Sequence, residues 1–271
     1  MIASIIDKNT IVVHDLSQFD PYAILHCGQI FRYWEIPHGW LVMSGQHWAK
    51  IKTDEMEVVI TCDDAEYFYN FFDFKTDYQS IKQALTAPKL KNALKHGGGI
   101  RILQADFVEI VLSFIISANN NIKRFTKIIN DICEQFGTET TCGHHGFPTL
   151  AQCERITVQD FKHFRCGYRD KYLVEAVQQL KKLDFNELKQ LPNLDLRREL
   201  LKIKGVGPKV ADCIMLFAFH RLDVAPVDTW IKKANFQLSQ AEQEVILHGN
   251  YAGVAQQYIF YYLQHLHKNL L

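Results

Sequence analysis

Ile203-Lys204-Gly205-Val206-Gly207-Pro208-Lys209 lies between two stretches of helical character, 196–203 and 208–220. Two glycines two positions apart let a chain reverse within about three residues, one of them at positive φ. Pro208 suits the first position of the second helix, whose N–H has no intrahelical partner in any case. The unpaired N–H groups of such a hairpin and helix start form a compact phosphate site that needs no large positive charge. Taken alone, the segment is equally well read as a plain αα-hairpin with a glycine turn.

The residues around it add chemistry. Lys209 follows the turn directly, near a helix N-terminus, where the positive end of the dipole favours a neutral, nucleophilic amine. Cys213 stands four residues later on the same helical face. Beyond the helix comes Val224-Ala225-Pro226-Val227-Asp228, where Pro226 stiffens the connection and Asp228 is placed to cap the next helix. A carboxylate there can also stabilise positive charge developing on a sugar ring.

Outward from the hairpin, the period of the sequence changes near residue 100. Short β-branched or aromatic runs at 9–14, 40–44, 48–52 and 57–62 predict strands. Asp20-Pro21 predicts the start of a helix over 20–26. His96-Gly97-Gly98-Gly99-Ile100 punctuates the chain. Phe107, Ile110, Val111, Phe114 and Ile115 then recur at helical spacing. Further helices are expected near 121–136, 158–164, 169–182, 196–203, 208–220, 228–236 and 252–268. The fold class is therefore α+β: an N-terminal antiparallel β-sheet domain with helices over 1–96, then an all-helical domain over 97–271.

Composition narrows the function classes. Hydrophobic residues make up 48% of the 271 and charged residues 22%, an ordinary globular balance. No apolar run approaches the roughly 20 residues that span a bilayer, and the N-terminus lacks the basic-then-apolar pattern of a secretion signal. Seven cysteines without a disulfide rhythm predict reduced thiols and a cytoplasmic location. The net charge is zero, but residues 1–96 carry 9 basic against 12 acidic groups and residues 97–271 carry 21 against 18. Within 197–235 the count is 8 against 4, a local strip able to meet phosphate.

The whole segment 201–228 resembles the helix-hairpin-helix, Gly/Pro-rich loop and aspartate signature of the DNA glycosylase superfamily. With the lysine and Val210-Ala211-Asp212-Cys213 it is similar to the 8-oxoguanine DNA glycosylase/lyase branch, and Trp230, where many members have histidine, fits bacterial members. Leu263 likewise stands where those members have an acidic residue. Cys27-Gly28-Gln29-Ile30-Phe31-Arg32, 113–124, 165–172 and 251–260 match further family segments in order. The resemblance implies Lys209 as Schiff-base nucleophile and Asp228 as its electrostatic partner. It makes Gly28 the carbonyl that accepts N7–H of 8-oxoguanine, with Gln256 on the pairing edge and the base held between Cys213 and Phe260. Asn119 would fill the gap left by the flipped base and Tyr168 would wedge the duplex. Arg124 and Arg169 would read the estranged cytosine, and Gly205 and Gly207 would meet phosphate.

The implied partner is double-stranded DNA containing 8-oxoguanine, bound by a monomer without a membrane. No cofactor is implied beyond a monovalent cation on the hairpin carbonyls. Relatives that excise oxidised pyrimidines or mispaired adenine carry four late cysteines for an iron–sulfur cluster, and here no cysteine follows Cys213. The cysteine and histidine spacings over 133–166 fit no zinc pattern. Two rivals remain at this point: a glycosylase for another lesion, and a non-catalytic DNA clamp, for which Lys209, Asp228, Gly28 and Phe260 together would have no use.

Overall fold

The computed structural model describes residues 2–54, 57–227, 231 and 239–268. Six strands, β1 (Ala3–Asp7), β2 (Thr10–Val13), β3 (Tyr33–Ile36), β4 (Gly39–Ser44), β5 (His47–Thr53) and β6 (Val58–Cys62), form one antiparallel sheet in the order β1-β2-β6-β5-β4-β3. Cross-strand pairs Val13↔Val58, Ile11↔Ile60, Ile60↔Ile51 and Ala49↔Val42 place alternate apolar residues on one face, as a half-buried strand requires. The helix α1 (Pro21–His26) links β2 to β3, with Asp20 accepting from Ala23 N at 3.0 Å. Then α2 (Ala65–Phe71) lies against β1, β2 and β6 and buries Phe68 and Phe71.

The helical half opens with α3 (Tyr78–Ala84) and α4 (Leu90–His96), then α5 (Phe107–Ser117) and α6 (Ile122–Phe136). Every residue of α5 from Glu109 to Ile116 is buried. A helix apolar all round belongs in the middle of a domain, and α5 packs on α6 and, further along the chain, on two later helices. Those later elements are α7 (Leu150–Cys153), α8 (Val158–His163), α9 (Arg169–Leu180), α10 (Phe185–Gln190), α11 (Asn193–Leu201) and α12 (Pro208–Phe217). It is α9 and α12 that complete the shell around α5. A short helix α13 (Gln240–Gln243) runs into a π-type turn over Glu244–His248, and α14 (Ala252–Lys268) returns to pack on α4.

The α+β fold is as the sequence predicts, with two strands and several short helices added. β1 and β3 pair only at the sheet's edges, so neither shows the full alternation that marks β2, β5 and β6. The expected helix at 228–236 lies outside the described residues.

Many polar contacts tie the halves together, and two clusters around buried carboxylates stand out. Arg32, in the segment before β3, pairs with Glu109 of α5 at 3.4 Å and donates to the His145 carbonyl. Gly45 N donates to the same carboxylate at 2.6 Å. Burial pushes the Glu109 carboxyl up to about 7, only partly offset by the Arg32 guanidinium. At the other edge, His220 after α12 contacts Asp73 at 2.9 Å, and Tyr78 donates to the same carboxylate oxygen at 2.9 Å.

Candidate active site

The hairpin joins α11 to α12. Gly205 has φ +87°, and a Cβ there would stand 3.1 Å from Ile115 Cγ2, so both its backbone and its packing call for glycine. Gly207 caps α12 with φ −91°, and nothing lies within 4 Å of where its Cβ would be. That open space lets another chain approach the backbone closely. An ion pair between Arg197 and Asp212, 2.7 Å apart, braces the two helices.

Lys209 projects from the first turn of α12, exposed at its outer end, with Nζ 5.0 Å from the centroid of the Phe114 ring. Beneath it is a cavity of about 40 Å³ walled by Cys27, Gly28, Phe114, Cys213, Gln256 and Phe260, among others. Four residues singled out as base contacts and the nucleophile thus meet in one place, although they come from the α1–β3 loop, α12 and α14. Gln256 is buried, and its Oε1 has no hydrogen-bond partner among the described residues. A buried amide oxygen left unpaired is costly, and this one belongs to a residue that lines the cavity. Asp228 and Trp230 lie outside the described residues, while Leu263 packs partly buried against the core.

Gly28 itself is left-handed, φ +78°, with the Phe260 ring 3.1 Å from where a Cβ would be. Its neighbours are held from three sides. Gln257 of α14 donates to the Cys27 carbonyl. Gln29 donates to the Arg101 carbonyl at 2.8 Å and accepts from Leu103 N at 2.9 Å. Cys27 Sγ donates to the Ile24 carbonyl at 3.1 Å, and burial pushes this thiol up to about 11, so it stays neutral. Sequence reasoning missed Gln29 and Gln257. The signal for Gln257 was a second glutamine inside the otherwise apolar run 252–261, a buried polar group that must find a partner.

A second cluster forms where α5 gives way to α6. Asn119 has φ +50° and its Nδ2 stands 3.5 Å from the hydroxyl of the exposed Tyr168. Asn121 caps α6 by accepting from Arg124 N at 2.9 Å. The three asparagines therefore end one helix and start the next. Arg169 is buried: it donates to the Ala118 and Cys166 carbonyls, and its guanidinium lies 4.3 Å from the Tyr168 ring centroid. Arg124 donates to the Arg165 carbonyl at 3.0 Å. Asn119, Tyr168 and Arg169 are thus contiguous, Arg124 joins their segment through Arg165, and none of the four lines the cavity.

Among the described residues, no group of three or more His, Cys, Asp or Glu could hold a metal ion, and none of the seven cysteines is in a disulfide. At the hairpin, the Ile203 carbonyl accepts from Val206 N at 3.0 Å and the Lys202 carbonyl from Gln179 Nε2 at 3.1 Å. Each oxygen keeps a second lone pair able to face a cation.

Residues 11–111 match the profile of the 8-oxoguanine DNA glycosylase N-terminal domain, and residues 112–244 that of HhH-GPD superfamily base excision DNA repair proteins. The chain belongs to the 8-oxoguanine DNA glycosylase family. Its structure superposes on the Clostridium acetobutylicum 8-oxoguanine glycosylase/lyase, solved with duplex DNA containing cytosine opposite the lesion. The TM-score is 0.89 and the identity 34%, covering 98% of this chain and 100% of that one. An N-glycosylase/DNA lyase of Saccharomyces cerevisiae is 35% identical over 161 residues, 52% of this chain and 43% of that protein. One of Arabidopsis thaliana is 33% identical over 198 residues, 64% of this chain and 54% of that protein. The aligned stretch thus spans about half the length of these two relatives.

Proposed function

We propose that the chain is a bifunctional DNA glycosylase and lyase that excises 8-oxoguanine from duplex DNA, with cytosine as the preferred opposite base. The observation that carries this reading is the convergence of Lys209, Gly28, Cys213, Phe260 and Gln256 on one cavity. A clamp that only holds DNA would have no use for such a pocket.

The chemistry follows from this placement. The damaged nucleotide is flipped out of the stack, at a cost of a few kcal/mol, while the hairpin around Gly205 and Gly207 holds its strand by phosphate. A cavity of about 40 Å³ has room for little more than water, so a purine enters only as the half-buried Phe260 ring moves off Gly28. The base then lies between Cys213 and Phe260. Gln256 Oε1 gains a partner on the pairing edge, and the Gly28 carbonyl takes the N7–H that guanine lacks. Guanine presents a lone pair there instead, which a buried acceptor rejects.

Lys209 Nζ bonds to C1′ as the bond from C1′ to the base nitrogen breaks, and the base leaves with the electron pair. Asp228 is assigned the stabilisation of the cationic sugar. Opening of the sugar ring gives a Schiff base, loss of a C2′ proton drives β-elimination, and the strand breaks on the 3′ side. These steps use a lysine amine and call for no redox or metal group. On the other side of the gap, Asn119 and Tyr168 fill the vacated stack, and Arg124 and Arg169 face the estranged cytosine.

The decisive test is Lys209→Gln on an 8-oxoguanine:cytosine duplex with borohydride present. Strand cleavage should fall by at least about a thousandfold and the trapped protein–DNA adduct should vanish. Base excision at the wild-type rate in that variant would remove Lys209 as nucleophile.

A further inference from the structure

Lys209 reaches its cavity on a flexible stem, and among the described residues it is in no ion pair. It lines two spaces, the cavity of about 40 Å³ and an adjoining cleft of about 200 Å³. The titratable groups that line them with it are His26, Cys27, Tyr33 and Cys213, and none is a carboxylate. Burial pushes Cys27 up to about 11 and Tyr33 up to about 12, so both are uncharged at neutral pH.

What the Lys209 ammonium does meet is an aromatic face. Its Nζ stands 5.0 Å from the centroid of the Phe114 ring, within the range at which a π cloud attracts a cation. The ring is fixed where the lysine stem is not. Phe114 is buried in α5, stacks on Phe217 of α12 with centroids 5.8 Å apart, and meets the Phe31 ring edge-on at 5.4 Å. Both spaces that Lys209 lines are lined by Phe114 as well.

We propose that Phe114 is a positioning residue, whose ring face seats the positive charge of Lys209 at the cavity, as ammonium before attack and as iminium once the sugar ring has opened. The ring makes and breaks no bond, so the covalent steps are unchanged by it. It acts on charge alone. The resting ammonium and the iminium that β-elimination needs both carry their charge on Nζ, and both are stabilised. The neutral amine that attacks C1′ is not. Phe114 therefore holds the lysine in place and favours strand cleavage, while lowering the fraction of free amine in acid.

This role rests on the glycosylase and lyase reading, and the experiment separates the two. Phe114 is replaced by mono-, di- and trifluorinated phenylalanine, which keep the shape of the ring while draining its negative face step by step. Lys209 Nζ is titrated by NMR in the free protein, its signal identified by its absence in Lys209→Gln. On an 8-oxoguanine:cytosine duplex, base excision and strand cleavage are followed against pH under single turnover. Along the series, the Nζ titration and the acid limb of excision should move together to lower pH, by about half a pH unit with three fluorines. Strand cleavage relative to excision should fall about two- to fivefold, with duplex affinity unchanged.

A titration that stays in place, or an unchanged ratio of cleavage to excision, overturns the proposal. So does an equal loss of excision, cleavage and duplex affinity without movement along the pH axis, which is what a packing role for the ring would give. If the titration moves but the wild type neither excises 8-oxoguanine nor forms an adduct with borohydride, the ring contact stands and it is the repair reading that fails.

Discussion

The two sides of the site are built on opposite principles. Around Gly28, the flanking residues are buried and tied down: Cys27 by Gln257, Gln29 by Arg101 and Leu103, and Arg32 by Glu109. Around the 117–121 and 165–169 segments, Asn119, Tyr168, Arg124 and Arg165 are exposed, and two of the four have left-handed backbones. The contrast fits the tasks proposed for them. One carbonyl that separates a lesion from guanine by a single hydrogen bond has to be fixed, since a fraction of an ångström decides whether that bond forms. Groups that fill a gap in a duplex meet a partner of variable shape, and arrive by rotating side chains in water.

Substitutions on the rigid side should therefore change discrimination or stability, while those on the open side should change salt-dependent affinity. The largest stability effect is expected for Glu109→Ala, which leaves the buried Arg32 and Gly45 N without their partner and should cost about 3–5 kcal/mol in denaturant unfolding near pH 5. Its pH signature is specific. The native carboxyl titrates at about 7 against an ordinary value of 4.5, so the native state binds more protons than the unfolded state between these pH values. Stability from this group is full below about 4.5 and falls as pH rises through about 7. The variant should lose that slope, and an unchanged slope would show that Glu109 is not its source.

Next comes Gly28→Ala. Its Cβ would meet the Phe260 ring at 3.1 Å on a backbone with φ +78°. The ratio of affinities for 8-oxoguanine and guanine duplexes should fall about tenfold to a hundredfold, as expected for one misplaced buried hydrogen bond. Equal loss on both duplexes would remove Gly28 as the reader. The smallest of the three is Gln257→Ala, which unpins the Cys27 carbonyl one residue away. About fivefold in the same ratio is expected, equivalent to roughly 1 kcal/mol, with excision by Lys209 otherwise intact. No change in the ratio would mean that the loop holds its shape without Gln257, and that rigidity there has another origin.

Much of this was legible from the chain alone. The glycines at 205 and 207, Pro208 and Lys209 are local features, because turn geometry and helix starts depend on neighbours a few residues apart. The strands with strict alternation, β2, β5 and β6, could be placed for the same reason. Edge strands β1 and β3 could not, since their pairing on one side only leaves a weak pattern. Gly28, Gln256 and Phe260 were reached only through likeness to a family, since nothing in their own surroundings marks them as a site.

The sequence by itself determined where the helices turn, which lysine stands at a helix start, and that no late cysteine cluster accompanies it. Tertiary structure decided the rest. It brought Gly28 and Phe260, 232 positions apart, onto one cavity, left Gln256 Oε1 without a partner among the described residues, and set Gln257 on the Cys27 carbonyl. The reason is one of range. Local geometry is encoded in adjacent residues, whereas a pocket is a meeting of side chains from distant segments, set by how buried helices pack around α5.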